Sequence, residues 1–281
     1  MSSHPIAAVV CALLAAALFA VAAVAQHRAA ATVPEGVGFV GALVRDPRWL
    51  AGIAGDVGGY AMQVAALALG SVLLVQPLLV SALIFALPLS ARLNGRRIDA
   101  GTWATAGALT VALAVFLIVG DPSEGVATAP FAEWAVPLGA LLAGLAAVVA
   151  VGARSADPTR RALLFGVAGG SLFGLAAALT TGVTDLFGRG VGAALGSWQL
   201  WALVASGVAG LYLQQRAYQV GPLTASLPAV TIAEPLAAAL IGTTVLDERL
   251  RTGPLGLAVV AVSVIVMCAT TIRLSRGQAR S

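Results

Sequence analysis

Apolar residues along this chain fall into nine long runs that short polar segments interrupt. Each run is close to the ~20 residues that an α-helix needs to cross the hydrocarbon core of a bilayer. The pattern therefore predicts nine membrane-spanning helices. The predicted spans are residues 5–25, 49–69, 71–91, 102–120, 134–152, 162–182, 197–219, 221–245 and 253–272.

The segments between these spans carry residues typical of turns, such as GDPSEG at 120–125 and SADPTRR at 155–161. Tryptophans cluster at the predicted starts of spans, as expected where a helix enters the membrane interface. The first run ends in AVAQ, which resembles a signal-peptidase site. No basic residue precedes that run and it is long for a signal peptide, so we interpret it as a transmembrane helix.

Composition strengthens this interpretation. Hydrophobic residues make up 59% of the 281 residues, charged residues only 10%, and the mean hydropathy is +0.96. Soluble domains average about 25% charged residues, so we expect an all-α polytopic membrane protein.

No catalytic or cofactor motif is present, and His4 and His27 lie outside or at the ends of spans. We expect neither an enzyme nor a cofactor. Cys11 and Cys268 lie singly within spans and are expected to behave as small hydrophobic residues.

The distribution of arginine predicts the topology. All 16 basic residues are arginines. Apart from Arg216, which lies near the end of the seventh span, they lie in loops or in the C-terminal tail, which argues against nucleic acid as a partner. With nine spans, twelve arginines fall on one side, and positively charged loops face the cytoplasm. We therefore expect a plasma-membrane protein with the N-terminus outside and the C-terminus in the cytoplasm. The opposite side has Arg189, Arg249 and Arg251.

Two stretches of the chain align as an internal repeat. In QVAALALGSVLLVQP (63–77) and QQRAYQVGPLTASLP (214–228), the residues Gln, Ala, Gly and Pro recur in the same register. The order of elements around them also matches. We predict a first repeat at 1–120, a connector helix with its loops at 121–153, and a second repeat at 154–281. A single connector helix inverts the second repeat relative to the first, as in many transporters. The segments 26–48 and 183–196 are expected to lie along the interface or to re-enter the membrane.

The stretch from 221 to 267, with its LDERL turn at 246–250 followed by Gly253, resembles the closing unit of an EamA-type repeat of the drug/metabolite transporter superfamily. Residues 67–97 resemble the matching unit of the first half, although the turn there lacks the acidic residue. Nine spans and the VQPLLV run are similar to the NIPA-like magnesium transporters. The resemblance implies a secondary transporter or facilitator that works by alternating access on a small metabolite or on Mg²⁺.

Charged and amide side chains inside spans are costly, so they usually face a bundle interior or a wet cavity. Asp56, Tyr60 and Gln63 share one face of the second span because of their i, i+4, i+7 spacing. One hypothesis is that Asp56 binds a cation or a proton beside a polar pathway. The alternative is an ion pair with Arg48 or Arg92 near the cytoplasmic interface.

Glu234 lies near the middle of the eighth span and is followed by Pro235, with Pro228 earlier in the same span. Proline removes a helical hydrogen bond, so this span is expected to bend or break and to expose carbonyl oxygens beside the carboxylate. Such an oxygen-rich site suits a cation. The alternatives are a buried hydrogen bond from Glu234 to Gln214 or Gln76, and proton coupling, since a buried carboxyl group holds its proton more tightly.

Gln76 and Pro77 in the third span, with Gln214 and Tyr218 in the seventh, are further candidates for the lining of a pathway. Pro77, like Pro228 and Pro235, is also a predicted helix break. Hydrogen bonding between helices is an equal alternative for them. The LDERL charges are expected to form a solvated turn. The bilayer and a small molecule or cation are the expected partners, and a homodimer is left open. The rival hypothesis is a membrane scaffold without transport activity.

Overall fold

The computed structural model of the protein describes residues 5–30, 45–93, 98, 100–123, 125–221 and 223–279. The chain is 86% helical. No β-strand forms within these residues, where the extended pairing is limited to an isolated antiparallel bridge between Pro122 and Leu250. The expectation of an all-α protein is confirmed.

Eleven helices lie within the described residues. They are α1 (Pro5–Ala30), α2 (Pro47–Leu69), α3 (Val72–Leu79), α4 (Ala82–Leu93), α5 (Ala100–Gly120), α6 (Phe131–Arg154), α7 (Pro158–Arg189), α8 (Val191–Leu195), α9 (Trp198–Val220), α10 (Leu223–Thr244) and α11 (Pro254–Ala279). Several begin at a side-chain cap that the sequence supplies. Asp46 accepts the N–H of Arg48, and Asp157 accepts the N–H of Thr159, each with a proline at the first helical position.

Five of the described helices are long and apolar enough to cross a membrane: segments Ile6–Gln26, Ala100–Gly120, Phe131–Arg154, Pro158–Arg189 and Pro254–Leu274. Helices of this length and composition identify an integral membrane protein. Every predicted span falls on helix, although the second and seventh are less apolar and the third and eighth contain shorter apolar segments. The crossing number of nine therefore stays a prediction.

The broken span is the third and not the eighth. Residues 71–91 were predicted as one span with a helix break at Pro77, and α3 indeed ends at Leu79, two residues after that proline, before α4 begins at Ala82. Turns closed by hydrogen bonds between residues i and i+3 connect them. The Val80 N–H donates to the Pro77 carbonyl, and the Ser81 N–H donates to the Leu78 carbonyl. By contrast, α10 continues through both Pro228 and Pro235. The prediction of a break there was wrong, although a proline still deprives the preceding turn of one hydrogen bond.

The predicted polar segment at 183–196 is mostly helical. The helix α7 continues to Arg189 and ends at Gly190, whose φ of +129° few other residues adopt. The five residues of α8 and a turn lead into α9. In the corresponding segment of the first half, 26–48, residues 31–44 lie outside the described part of the chain.

The helix α7 occupies the centre of the described bundle. In its most apolar 18-residue stretch 78% of the residues are buried, whereas only 11% are buried in the corresponding stretch of α6. A glycine stripe explains how closely α10 approaches α7. A Cβ at Gly166 would lie 2.9 Å from the Ser226 carbonyl oxygen, and a Cβ at Gly170 would clash with the carbonyl of Val230. The next turn repeats this at Gly174. Small residues at this spacing let two backbones meet without side chains between them.

The helices α1 and α2 approach in the same way. Gly52, Gly55 and Gly59 face α1, where added Cβ atoms would crowd Gln26, Ala22 and Phe19 respectively. These glycines therefore let α1 pack directly against the backbone of α2. The helices α5 and α11 pack together, α3 contacts α10, and α6 lies at the periphery against α7.

Candidate functional site

A cavity of about 80 Å³ lies where α3, α5, α10 and α11 meet. Its wall combines residues from both halves of the chain, with α3 and α5 from the first and α10 and α11 from the second. Most of the lining is apolar, including Val72, Phe116, Ile232 and Met267. The polar lining residues are Gln76, Thr231, Cys268 and Thr271. Most binding sites for small molecules have this character, an apolar wall with a few placed polar groups.

Gln76 is the most unusual member of this wall. Its side chain is only 2% exposed. Neither the amide nitrogen Nε2 nor the oxygen Oε1 has a hydrogen-bond partner within the described part of the chain. Buried amides almost always find partners, because a polar group removed from water without a hydrogen bond is costly. An unpaired donor and an unpaired acceptor therefore lie buried behind the apolar surface of the cavity.

The structure brings three of the sequence-predicted site residues to this cavity: Gln76, Pro77 and Pro235. Pro77 lies in the last turns of α3, immediately before the break, and Pro235 lies midway along α10. The two prolines therefore contribute rigid apolar surface from one helix of each half. Among the residues that the structure describes, the lining of the cavity includes no charged side chain.

Glu234 is not part of this wall although Pro235 is its neighbour. The backbone of Glu234 packs on Gly174 of α7, at a point where a Cβ would clash with the Glu234 carbonyl oxygen. Glu234 is half-buried. Its expected hydrogen bond to Gln76 is absent, because both polar atoms of that amide are unpartnered within the described residues. Glu234 and the cavity are therefore separate features of α10.

Asp56 also lies away from the cavity. Its Oδ2 accepts a hydrogen bond from Nε2 of Gln26 in α1 at 2.5 Å. The alternative interpretation, an ion pair with Arg48 or Arg92, was wrong, since neither arginine forms a salt bridge with Asp56 among the described side chains. The partner of Asp56 is instead a side-chain amide of α1, the helix that packs against the glycines of α2.

The other candidates on α2 and α9 do not gather around one pathway. The hydroxyl of Tyr60 lies 3.0 Å from Oγ1 of Thr180 and so connects α2 to α7. Gln63 is buried at 4% exposure, but it does not line the cavity, and neither does Gln214. The side chain of Tyr218 lies outside the described part of the structure. Pro228 is buried in the first turns of α10 and also lies off the cavity.

Sequence reasoning missed the role of Glu248. The LDERL turn was expected to be solvated, and Asp247 and Arg249 are indeed exposed and paired with each other at 2.7 Å. Glu248 between them is only 3% exposed, so the expectation was wrong for this residue. Its Oε1 accepts the N–H of Val72 and its Oε2 accepts the N–H of Leu73, both at 2.8 Å.

This carboxylate caps the first turn of α3 from the opposite half of the chain. The unpaired N–H groups at a helix N-terminus attract an anion, and inside a membrane bundle they need an acceptor from the protein. Gly242 makes room for the carboxylate, since a Cβ there would lie 2.9 Å from Oε2. In the sequence, Ser71 signals the start of α3, since its hydroxyl oxygen accepts the N–H of Leu74, but nothing local identifies Glu248 as the acceptor for Val72 and Leu73.

The same end of the bundle contains a second connection between the halves. The N–H of Ser123 donates to the Arg249 carbonyl at 2.8 Å, and the N–H of Val126 donates to the Leu246 carbonyl at 2.7 Å. Gly125 has no room for a side chain, because a Cβ would clash with the carbonyl of Leu246. The loop after α5 therefore fixes the turn that holds Glu248.

Comparison with known proteins finds a full-length relative in Corynebacterium glutamicum, the uncharacterized protein Cgl0250/cg0304. The two sequences are 35% identical over 279 residues, which cover 96% of this chain and 94% of the relative. The chain belongs to the family of this corynebacterial protein. No family model and no solved structure matches the sequence of this chain. The similarity covers nearly the whole chain and is not confined to one segment of it.

Proposed function

We propose that the protein is a membrane secondary transporter or facilitator that moves a small solute by alternating access between its two halves. The observation that carries this proposal is the cavity at the junction of α3 and α10, whose wall combines helices from both halves of the chain. In transporters built from two repeats, the solute site lies at the junction of the repeats.

Matching contacts within the two halves support an internal repeat. The alignment that pairs Gln63 with Gln214 also pairs Gly59 with Gly210. A Cβ at Gly59 would lie 2.7 Å from the Phe19 ring of α1, and a Cβ at Gly210 would lie 3.0 Å from the Phe173 ring of α7. A glycine of the second helix thus meets a phenylalanine of the first helix in each half.

A second pair of contacts follows the same register. Gly70 ends α2 and Gly221 ends α9, both in extended conformations that any residue adopts. Close packing therefore explains these two glycines. A Cβ at Gly70 would crowd Ala8 in the first turns of α1, and one at Gly221 would crowd Ala162 in the first turns of α7. These equivalences support two four-helix repeats, joined by α6 and inverted by that single crossing.

The loop contacts agree with nine crossings, an outside N-terminus and a cytoplasmic C-terminus. Loops 121–126 and 246–251 are predicted to lie outside, and they are hydrogen-bonded to each other. Arg189, on a third loop predicted outside, reaches Oγ1 of Thr128 at 3.5 Å. With the arginine-rich loops at the other end, this arrangement supports the proposed orientation in the plasma membrane.

The resemblance to EamA-type repeats makes the drug/metabolite transporter superfamily the proposed wider relationship. Its NIPA-like branch suggests Mg²⁺ as an alternative substrate, but no specific geometry favours it. Within the described residues, no three of the side chains of His, Cys, Asp and Glu approach closely enough to hold a metal ion. Mg²⁺ flux that falls in Asp56→Asn or Glu234→Gln would restore that alternative.

The proposal is tested by uptake of labelled solutes into proteoliposomes, with amino acids, organic acids, polyols, amides and Mg²⁺ compared against protein-free liposomes. Ala239→Phe would fill the cavity from the α10 wall. Its matched control is Ala140→Phe, on the exposed surface of α6. We expect protein-dependent uptake that Ala239→Phe abolishes and Ala140→Phe retains.

Uptake no greater than that of protein-free liposomes across this panel would reject transport and favour the scaffold hypothesis. A scaffold would depend on its helix-packing faces and not on the cavity. Partner binding would then survive Ala239→Phe.

A further inference from the structure

In the proposed nine-span arrangement, Glu234 lies at the depth of the bilayer centre. The helix α10 runs from Leu223 to Thr244, with Glu234 at its middle. At a rise of 1.5 Å per residue, Glu234 is about 15 Å from either end of the helix, which is half the thickness of a hydrocarbon core of about 30 Å. An ionisable side chain at this depth is costly, and proteins retain one there chiefly to move ions or protons.

The side chain of Glu234 belongs to the face of α10 that packs on α7. Gly174 of α7 contacts the Glu234 backbone. The residues of α10 that lie three, four or seven positions from Glu234 share its face and are buried: Val230, Ala237, Ala238 and Ile241. Leu236 and Leu240, on another face, are 50% and 48% exposed and so border lipid. The partial exposure of Glu234 is therefore toward the interior of the bundle.

The carboxyl group of Glu234 has no partner within the described part of the chain. It forms neither a hydrogen bond nor an ion pair there, so the expected bond to Gln214 is absent, like the bond to Gln76. Glu248, by contrast, has two backbone N–H groups to stabilise its charge. An ionised carboxylate inside a membrane bundle is strongly unfavourable without such partners. The described conformation therefore favours the neutral form of Glu234.

Ionisable groups on the neighbouring helices do not reach Glu234. The helices α3, α7, α9 and α11 pack against α10, and α3 has no ionisable residue. On the other three, the described ionisable side chains lie near helix ends, on the exposed surface or at the cavity. They are Arg160, Arg161, Asp185 and Arg189 of α7, Tyr212 and Arg216 of α9, and Cys268 and Arg273 of α11.

A single carboxyl group suits a proton and not a metal ion. Mg²⁺ and Ca²⁺ take about six or more oxygen ligands, usually with more than one carboxylate. Among the side chains that the structure describes, no such cluster of acidic residues, histidines and cysteines includes Glu234. A proton needs only one carboxylate oxygen.

We infer that Glu234 is a proton-binding site through which the protein couples solute movement to a proton gradient. In the described conformation the carboxyl group holds the proton. When the bundle opens to water on one side, the O–H bond breaks, the proton passes to water and the carboxylate is hydrated. The coupling rests on the proposed function, whereas proton binding by Glu234 does not depend on transport.

Dicyclohexylcarbodiimide tests the proton site without any solute. This apolar reagent enters membranes and adds to protonated carboxyl groups: the carboxyl oxygen bonds to the central carbon, and the proton passes to a nitrogen of the reagent. The purified protein in lipid nanodiscs is treated from about pH 6 to about pH 9, where an ordinary glutamate is ionised. Mass spectrometry of peptides locates the modified residues. Glu234→Gln is the blank, and Glu248 is the internal control.

We expect Glu234 to be modified at about pH 6 and severalfold less at about pH 9, because the reactive form is lost as the carboxyl group ionises. Glu248 should stay unmodified at both, since its backbone donors favour the ionised form. The proton site is overturned by an unmodified Glu234, by equal modification of Glu248, or by modification of Glu234 that does not change with pH.

The coupling is tested with the uptake panel described above, in proteoliposomes with and without an imposed pH gradient. In the wild type and in Glu234→Asp, which keeps a carboxyl group, we expect the gradient to change uptake severalfold. Glu234→Gln should retain uptake at equal pH and lose the response to the gradient. The matched control is Glu133→Gln, at an exposed position in the first turn of α6, which should respond like the wild type. A full response in Glu234→Gln would overturn the coupling.

The two assays separate failure of this inference from failure of the proposed function. Modification of Glu234 as expected, without protein-dependent uptake of any solute in the panel, would retain the proton site and reject transport together with its coupling. Protein-dependent uptake by a protein whose Glu234 the carbodiimide does not modify would retain transport and reject the proton site.

Discussion

The carboxylate of Glu248 accepts the backbone N–H of Val72 at 2.8 Å, across 176 residues of sequence. Glu248 lies in the turn between α10 and α11. This bond therefore joins that turn, in the second half, to the first turn of α3 in the first half. Val72 also lines the cavity. The contact that holds the two halves together at this end therefore positions one wall of the candidate site.

Removing this carboxylate should destabilise the protein strongly. Glu248→Ala leaves the N–H groups of Val72 and Leu73 without their acceptor in a buried setting. Each such orphaned group costs about 1–3 kcal/mol, so we expect a loss of roughly 2–5 kcal/mol. The measurement is thermal or denaturant unfolding of the purified protein in detergent.

Asp247→Asn is the matched control, one residue earlier in the same turn. Asp247 is exposed and forms a surface ion pair with Arg249, and asparagine tolerates its φ of +53° as aspartate does. Pairs of this kind contribute little, so its effect should stay within about 1 kcal/mol. Equal destabilisation by the two substitutions would mean that the turn as a whole matters and that the Glu248 cap does not.

The hydrophobic pattern determined the positions of the helices well, because a membrane span must be apolar over a fixed length. Thus α5 and α6 begin and end within a few residues of their predicted bounds. Proline was the only guide to helix breaks, and it does not distinguish a break from a tolerated proline. Pro228 and Pro235 are tolerated within α10, whereas the break between α3 and α4 at Val80 and Ser81 follows Pro77 directly.

The candidate site was predicted only in part, for a related reason. Gln76, Pro77 and Pro235 could be selected because amides and prolines are unusual in spans. Which of them share a cavity depends on contacts between distant helices, which one sequence does not encode locally. Charged residues were a misleading guide to the site. Asp56 is hydrogen-bonded to Gln26 away from the cavity, and Glu248 is buried although its neighbours in the turn are exposed.

Replacing Gln76 by leucine should raise the stability of the solute-free protein. Both amide atoms are buried without partners, so leucine removes an unsatisfied polar group and retains most of the side-chain volume. The expected gain is about 1–3 kcal/mol. Gln219→Leu, at an exposed position, should change the free energy of unfolding by no more than about 0.5 kcal/mol. Lower stability in Gln76→Leu would mean that the amide is satisfied in the folded protein.

The close approach of α7 and α10 should tolerate no side chain at its centre. Gly170→Ala places a methyl group against the Val230 carbonyl, so the two backbones must separate. Overpacking of this kind costs about 1–3 kcal/mol. Gly144→Ala is the control, since a Cβ there meets nothing within 4 Å and α6 gains a better helix former. Similar melting temperatures for Gly170→Ala and the wild type would contradict the tight packing.

The crossing by α7 can be tested with two single cysteines in a background that lacks Cys11 and Cys268. Ala156→Cys precedes α7, and Gly188→Cys lies in its last turn, both at exposed positions. If α7 spans the membrane with its C-terminal end outside, a membrane-impermeant maleimide added to intact cells labels Cys at 188 only, and lysis adds labelling at 156. The reverse pattern would invert the proposed orientation. Labelling of both positions in intact cells would mean that α7 does not cross, and the nine-span arrangement would then fail.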